Sequence, residues 1–218
     1  MTVNEAYLYF TNAVNKLSSN SGLNIPKAVF VSSFNAVQTQ WVEDRVKMNE
    51  LNKIRMDEIQ QLMVSSKLNV KKEEQYYTID LPANYYHYLR SYSYVGNCTI
   101  DNWLVREGDI NVLLNDEFWK PSLEWGETIC TLGGNKLKVY YDDFAIKNVN
   151  LIYYRYPIAI NMADGYLDTN GQPTVDVNPE FLGSSVIEIL NLTAQLIAGE
   201  TGDNERYTVF TNRTQQHT

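Results

Sequence analysis

The sequence predicts an α+β protein: an N-terminal helical hairpin or bundle, an antiparallel β domain, and a C-terminal helix that packs back on the bundle. Three observations carry this. Apolar residues recur at spacings of three and four through the first part of the chain, as one face of an amphipathic helix requires. From Gln75 the texture changes to runs of Tyr, Val, Ile and Thr broken by Pro and Gly, the mark of strands and turns. Between Val186 and Ile197 an apolar stripe returns to helical spacing.

The first helix falls between Asn4 and Ser18, with Tyr7, Phe10, Val14 and Leu17 on one face, and the polar run Ser18-Ser19-Asn20-Ser21-Gly22 ends it. Pro26 suits the first turn of a second helix, where its missing N–H costs least. Phe34, Val37 and Trp41 continue the stripe, followed by Val42 and Val46, Leu51 and Ile54, then Ile59, Leu62 and Met63. The stripe drifts round the helix, which predicts a bend or break near Asn49 to Asn52. Unbroken from Phe34 to Met63, the helix would run about 45 Å at 1.5 Å per residue. That length is either an arm that packs beyond its own chain or one limb of a core hairpin.

In the β region, Tyr76 to Leu81 reads as a strand closed by Pro82. Tyr85 to Val95 follows as a half-buried strand with Tyr86, Tyr88, Tyr92 and Tyr94 on one parity. Asp109 to Phe118 is a short helix or turn with Asp109 as N-cap and Ile110, Leu113 and Leu114 at helical spacing. Gly133-Gly134-Asn135 is a hairpin turn into a strand over Leu137 to Tyr141. Val149 to Tyr156 is another strand, limited by Pro157. Gly165, Asn170-Gly171 and Pro173 mark a loop or tight hairpin over Asp164 to Asn178. Asn178 then caps the last helix, with Pro179 at its first position and Glu180 in its first turn. That helix carries Val186, Ile189, Leu190, Thr193, Leu196 and Ile197 and ends around Gly199 and Gly202. The organisation is a helical region over 1–72, a β-rich region over 73–163, a loop and C-terminal helix over 164–202 that complete the bundle, and an extended C-terminal tail over 203–218. All belong to one cooperative domain.

A net charge of −8 and a pI near 4.8 exclude a protein whose main task is gripping phosphate backbones, which needs clustered Lys and Arg. The basic stretches Lys67 to Lys72 and Lys136 to Lys138 are short and flanked by acids, a solvated surface. Met1-Thr2-Val3-Asn4-Glu5 has no basic region before an apolar run, and no long apolar window follows, so neither a secretory signal nor a membrane span is expected. Cys98 and Cys130 lack a CxxC or a nearby His pair and read as two buried free thiols. The Asn-x-Thr triplets at Asn97, Asn191 and Asn212 read as chance. Tyrosine outnumbers phenylalanine 16 to 7; its apolar ring and polar tip suit half-buried strands and wet subunit contacts alike.

Catalytic chemistry needs convergent polar groups, and few are offered. His87 and His217 are the only histidines; neither has a ligand partner at i+4, and HExxH, GxSxG, P-loop and GxGxxG patterns are absent. The acid pairs Asp142-Asp143, Asp109 with Asp116, and Glu124 with Glu127 are of a kind common on acidic surfaces. Trp103, Trp119 and Trp125 offer sugar stacking, core packing or interface anchoring. The expectation is a non-enzymatic chain with no metal and no cofactor.

Four stretches, in this order and spacing, carry a family resemblance. They are Phe34-Asn35-Ala36-Val37-Gln38, then Ile79-Asp80-Leu81-Pro82-Ala83-Asn84-Tyr85-Tyr86, then Val149 to Pro157 ending Tyr153-Tyr154-Arg155-Tyr156-Pro157, and the closing helix from Pro179. Together they resemble the head-to-tail adaptor, or ring (connector), proteins of short-tailed bacteriophages, most closely those of crAss-like phages. The resemblance implies a virion structural protein of the neck or tail, made in the host cytoplasm and assembled as a twelve-fold homo-oligomer ring under the portal. Genomic DNA would pass through its channel without sequence-specific binding, and no membrane is involved. Contacts with the portal and adjacent rings are expected from Phe34 and Trp41 and, on the tail from Arg206 to Thr218, from Arg206, Tyr207, Phe210 and Arg213. The alternative is a non-catalytic binding module, for carbohydrate or protein, on a virion fibre.

Overall fold

The structure, a computed structural model, describes residues 1–15, 24–52, 57–163, 174–200 and 204–215, with side chains at 49–52, 204–206 and 213–215 left aside. It is mixed α+β, with helices at both ends of the chain and an eight-stranded curled sheet between them. The chain divides into two compact units. One joins residues 1–61 to 157–218; the other is the sheet, residues 62–156. The boundary at 61/62 differs from the 72/73 read from sequence, because Met63–Asn69, included above in the helical region over 1–72, is a strand.

In the helical unit, α1 (Val3–Asn15) buries Val3, Ala6, Phe10 and Val14. Its N-terminus carries a reciprocal capping box: Glu5 N–H donates to Thr2 Oγ1 and Thr2 N–H to Glu5 Oε2, the Ser/Thr-x-x-Glu signature. That hydrogen bond from the Thr2 backbone holds the Glu5 carboxyl below its ordinary range. Helix α2 (Lys27–Asn52) ends where the drifting stripe predicts a break, and it buries Phe30, Val31, Phe34, Gln38, Trp41, Val42 and Val46 on one face. Phe30 packs between Phe10 and Phe34, with ring centroids 5.0 and 5.8 Å away. A 3₁₀ turn, Asp57–Leu62, closes the N-terminal part. Leu17, Ile54 and the proposed hairpin over 164–173 lie outside the described residues.

After the sheet, α4 (Gly183–Glu200) packs against α1, α2 and the last helix, α5 (Asn204–Gln215). Two expectations are corrected here. The last stretch is a helix, not an extended tail: Phe210 is wholly buried and Gln195 Nε2 donates to Thr211 Oγ1 at 3.0 Å, so contact with α4 overrides weak local propensity. Asn178 does not cap α4, which starts five residues later. Its Oδ1 accepts from Val3 N–H at 2.9 Å and so caps α1, while Glu180 accepts from Ile158 N–H at 2.7 Å.

The stretch Phe34-Asn35-Ala36-Val37-Gln38 has a structural role. Asn35 sits opposite the extended segment that follows the sheet, donating from Nδ2 to Ile160 O at 3.0 Å and accepting at Oδ1 from Ile160 N–H at 2.8 Å. Gln38 Nε2 donates to Ile158 O at 3.0 Å. One helical turn thus satisfies three backbone groups of a segment that has no strand neighbour there.

The sheet unit contains β1 (Met63–Asn69), β2 (Lys71–Lys72), β3 (Tyr76–Asp80), β4 (Tyr85–Val95), β5 (Cys98–Leu104), a short helix α3 (Ile110–Asn115), β6 (Glu127–Gly133), β7 (Lys136–Tyr140) and β8 (Ile146–Arg155). Their order is β1-β8-β4-β5-β6-β7-β3-β2. Only Val70 separates β1 from β2, so one bent strand links the two ends of the sheet and leaves little free edge. The enclosed face holds the main core, including Ile79, Ile100, Leu137, Val149, Leu151 and Tyr153. On the outer face α3 covers a smaller cluster of Ile110, Ile129 and Tyr140. The β6–β7 hairpin turns where Gly133-Gly134-Asn135 predicts, with φ of 59° at Gly134 and 60° at Asn135, the left-handed pair that a two-residue hairpin needs.

The expected all-antiparallel pairing fails at one place: β5 and β6 are parallel. Parallel neighbours need a long crossover, which is why residues 105–126 leave the sheet, with α3 among them. A second correction concerns the tyrosines of β4. Register shifts at Tyr85/His87 and Tyr88/Arg90 turn Tyr88 inward, whereas Tyr92 and Tyr94 point outward with Lys67 over the Tyr94 ring at 4.5 Å. A bulge reverses the alternation beyond it.

Candidate interaction surfaces

The chemistry-bearing side chains do not converge. Among the described residues no group of three or more His, Cys, Asp or Glu is placed to hold a metal ion. His217 lies outside the described residues, and His87 sits alone of its kind in β4. Asp109 and Asp116 flank α3 at its two ends, and Asp142 is exposed and faces Lys120 at 3.8 Å.

The densest polar network lies inside the sheet. Asn102 Nδ2 donates to Ser91 Oγ at 3.0 Å, Ser93 Oγ donates to Asn102 Oδ1 at 2.7 Å, and Tyr88 Oη lies 3.0 Å from Ser91 Oγ. Desolvation by burial raises the Tyr88 phenol above its ordinary value and pushes the Cys130 thiol up to about 11. Both groups are held protonated at neutral pH and opposed to nucleophilic chemistry. The network pins the β4/β5 register. Cys98, in contrast to the expectation of two buried thiols, is exposed.

The structure separates the six residues expected at an interface. Phe34, Trp41 and Phe210 are 0%, 3% and 0% exposed and sit in the core of the helical unit; their large apolar side chains are consumed by intrachain packing. Tyr207 is 44% exposed. Arg206 and Arg213 lie in α5 with side chains outside the description. Trp41 and Tyr207 nevertheless meet at one place, a groove of about 510 Å³ between α2, α4 and α5, where Val37, Leu192 and Leu196 supply apolar walls and Asp44 and Glu200 lie at the rim. Trp41 is held there by Phe181, edge-on at 5.2 Å, and by the Arg45 guanidinium 5.0 Å above its ring. Arg45 is fixed in turn by Glu188 at 2.8 Å and Glu58 at 2.8 Å. The Trp41 indole N–H is buried and has no hydrogen-bond partner among the described residues. Elsewhere on this unit Leu8, Tyr9 and Val29 are exposed.

A second surface stands on the crossover of the sheet unit. Trp119, Trp125 and Phe118 on it are 60%, 52% and 73% exposed, and Trp103, on β5, is 55% exposed, which removes the core-packing alternative for the three tryptophans. Phe118 and Trp125 stack with centroids 6.2 Å apart and ring planes 23° apart. Their backbone is fixed: Phe118 N–H donates to Asp116 Oδ1 at 2.8 Å, Lys120 N–H to Asp116 O at 3.0 Å, and Ser122 exchanges backbone bonds with Glu127. Sequence alone could not tell this exposure from burial, since a Trp-rich stretch suits both.

No protein-family model matches the chain, and no curated protein matches it. The fold and its surfaces define an α+β protein, a helical unit with an inserted curled sheet, whose prominent exposed features are apolar and aromatic. No helix among the described residues is long and apolar enough to cross a membrane.

Proposed function

We propose that this chain is a non-catalytic structural subunit of a bacteriophage neck or tail ring, a head-to-tail adaptor that docks on the portal and forms part of the channel for genomic DNA. The observation that carries the proposal is that the helical unit keeps two different sets of apolar side chains in solvent: Leu196 and Tyr207 at the groove, and the exposed Leu8, Tyr9 and Val29. A cyclic ring joins unlike surfaces of successive subunits, and a chain with two such surfaces suits it. The order of the four sequence stretches supports the family, and Asn35 and Gln38 give the first of them a concrete structural use. The net charge of −8 suits a channel that DNA slides through without sticking.

Mass photometry and negative-stain imaging, with and without portal, test the proposal. Rings are expected, and Leu196→Glu combined with Tyr207→Ala is expected to abolish them while leaving a folded monomer. A chain that stays monomeric and ignores portal contradicts the proposal. A second reading, a carbohydrate-binding module of a fibre, is favoured by the exposed Phe118–Trp125 stack, since such faces hold sugar rings. Glycan binding that is lost in Trp125→Ala would support it.

A further inference from the structure

The crossover surface has more than exposed rings. The stacked Phe118 and Trp125 rings alone expose about 250 Å², taking roughly 200 Å² for a fully exposed ring side chain. That approaches the lower end of the largest apolar patches of ordinary monomers, about 300–600 Å², and Val112, 71% exposed and beside Phe118, adds to it. The rings are not loose, because the Asp116 and Ser122 bonds described above and the buried Pro121 hold the turn that presents them.

The surroundings are acidic. From Asp101 to Glu127 the chain has seven carboxylates against Arg106 and Lys120, and Lys120 is directed to Asp142. Asp109, Asp116, Glu117, Glu124 and Glu127 form no ion pair among the described residues. A shallow, open surface is lined by Asn111, Asn115, Asp116, Glu117 and Phe118, placing carboxylates beside an exposed ring.

We propose that this surface docks a different protein chain, one whose apolar contact area is ringed by Arg and Lys. Guanidinium and ammonium groups both lie over aromatic faces and pair with carboxylates, so basic side chains match both features. A second copy of this chain, itself at a net charge of −8, matches an acidic rim less well than a basic partner does. The inference goes beyond the ring proposal and does not depend on it.

The proteins encoded by the genes flanking this one, each purified and immobilised, serve as probes for the full chain in biolayer interferometry. At least one is expected to bind, and to bind more weakly as salt is raised, since exposed charge pairs are screened. Phe118→Ala with Trp125→Ala should weaken binding at least about 30-fold, the loss typical of hot-spot anchors. Glu117→Lys with Glu124→Lys should weaken it by a similar factor. Both variants should keep the wild-type circular dichroism and Tm, and Asn12→Ala, on the exposed face of α1, should leave binding unchanged. The proposal is overturned if no flanking protein binds, if binding ignores both double variants, or if those variants abolish self-association or glycan binding instead.

Discussion

Asn35→Ala probes the clamp that fastens the segment leaving the sheet to the helical unit. Ile160 is 1% exposed, and its N–H and C=O are both satisfied by the Asn35 amide. Truncation strands both groups away from water. A buried backbone group left unpaired costs about 1–3 kcal/mol, so the pair amounts to about 2–6 kcal/mol. Alanine returns about 0.5 kcal/mol through its higher helix propensity, and the adjacent Gln38 amide, 1% exposed, recovers part of the rest. The expected loss is about 2–4 kcal/mol, or roughly 5–15 °C in Tm for a chain of this size. Urea and thermal unfolding followed by far-UV circular dichroism measure it, with Asn12→Ala as the exposed control. Asn35→Asp adds a pH signature. Buried opposite a carbonyl, the new carboxyl has a raised folded pKa, so its stability is fullest below the unfolded carboxyl value and is lost as pH rises through the folded one. A loss for Asn35→Ala within about 0.5 kcal/mol of the control, the range of neutral surface changes, would refute the clamp.

Three further outcomes follow from the sheet unit. Tyr88→Phe removes a hydroxyl 3.0 Å from Ser91 Oγ and should cost about 1–2 kcal/mol in urea unfolding; an unchanged midpoint would show that the network contributes nothing. In native thiol titration the exposed Cys98 should react at once, whereas Cys130, buried with its thiol raised to about 11, should react only on unfolding; two fast thiols would contradict the burial. The ion pair between Lys138 and Glu107 lowers the Glu107 carboxyl from 4.5 and raises the Lys138 ammonium from 10.5. Its contribution should be present between those unfolded values, lost as pH falls through the lowered carboxyl and lost again as pH rises through the raised ammonium. Because Glu107 is half-exposed, Lys138→Met should cost under about 1 kcal/mol at neutral pH, and a Tm difference from wild type that persists in strong acid would argue against the pair.

What was legible in the sequence was what local pattern controls. The stripe of Phe10 and Val14, the break near Asn52, the Gly134-Asn135 turn and the limits of β4 at Tyr85 and Val95 all rest on spacing or backbone conformation that neighbours decide. What was missed depends on partners distant in the chain. Met63–Asn69 becomes a strand because β8 pairs with it, Met63 lying opposite Tyr154. Asn178 caps a helix that begins 175 residues earlier, and α5 forms against α4 despite its Thr, Asn and Val content. The Thr2-Glu5 capping box, by contrast, was visible and unused. For the candidate surfaces, Trp41 and Tyr207 were singled out as contact residues, yet only the fold brings them to one groove. The exposure of Phe118 and Trp125 follows from a parallel β5/β6 pairing that forces a crossover, which no local signal announces.

The central claim is that the chain builds a ring through its helical unit. Mass photometry of the full chain, alone and then with portal, tests it most directly. The account predicts a discrete multiple of the 25.1 kDa subunit, reduced to monomer by Leu196→Glu with Tyr207→Ala. A single monomer peak under both conditions, or rings untouched by that substitution, would contradict it.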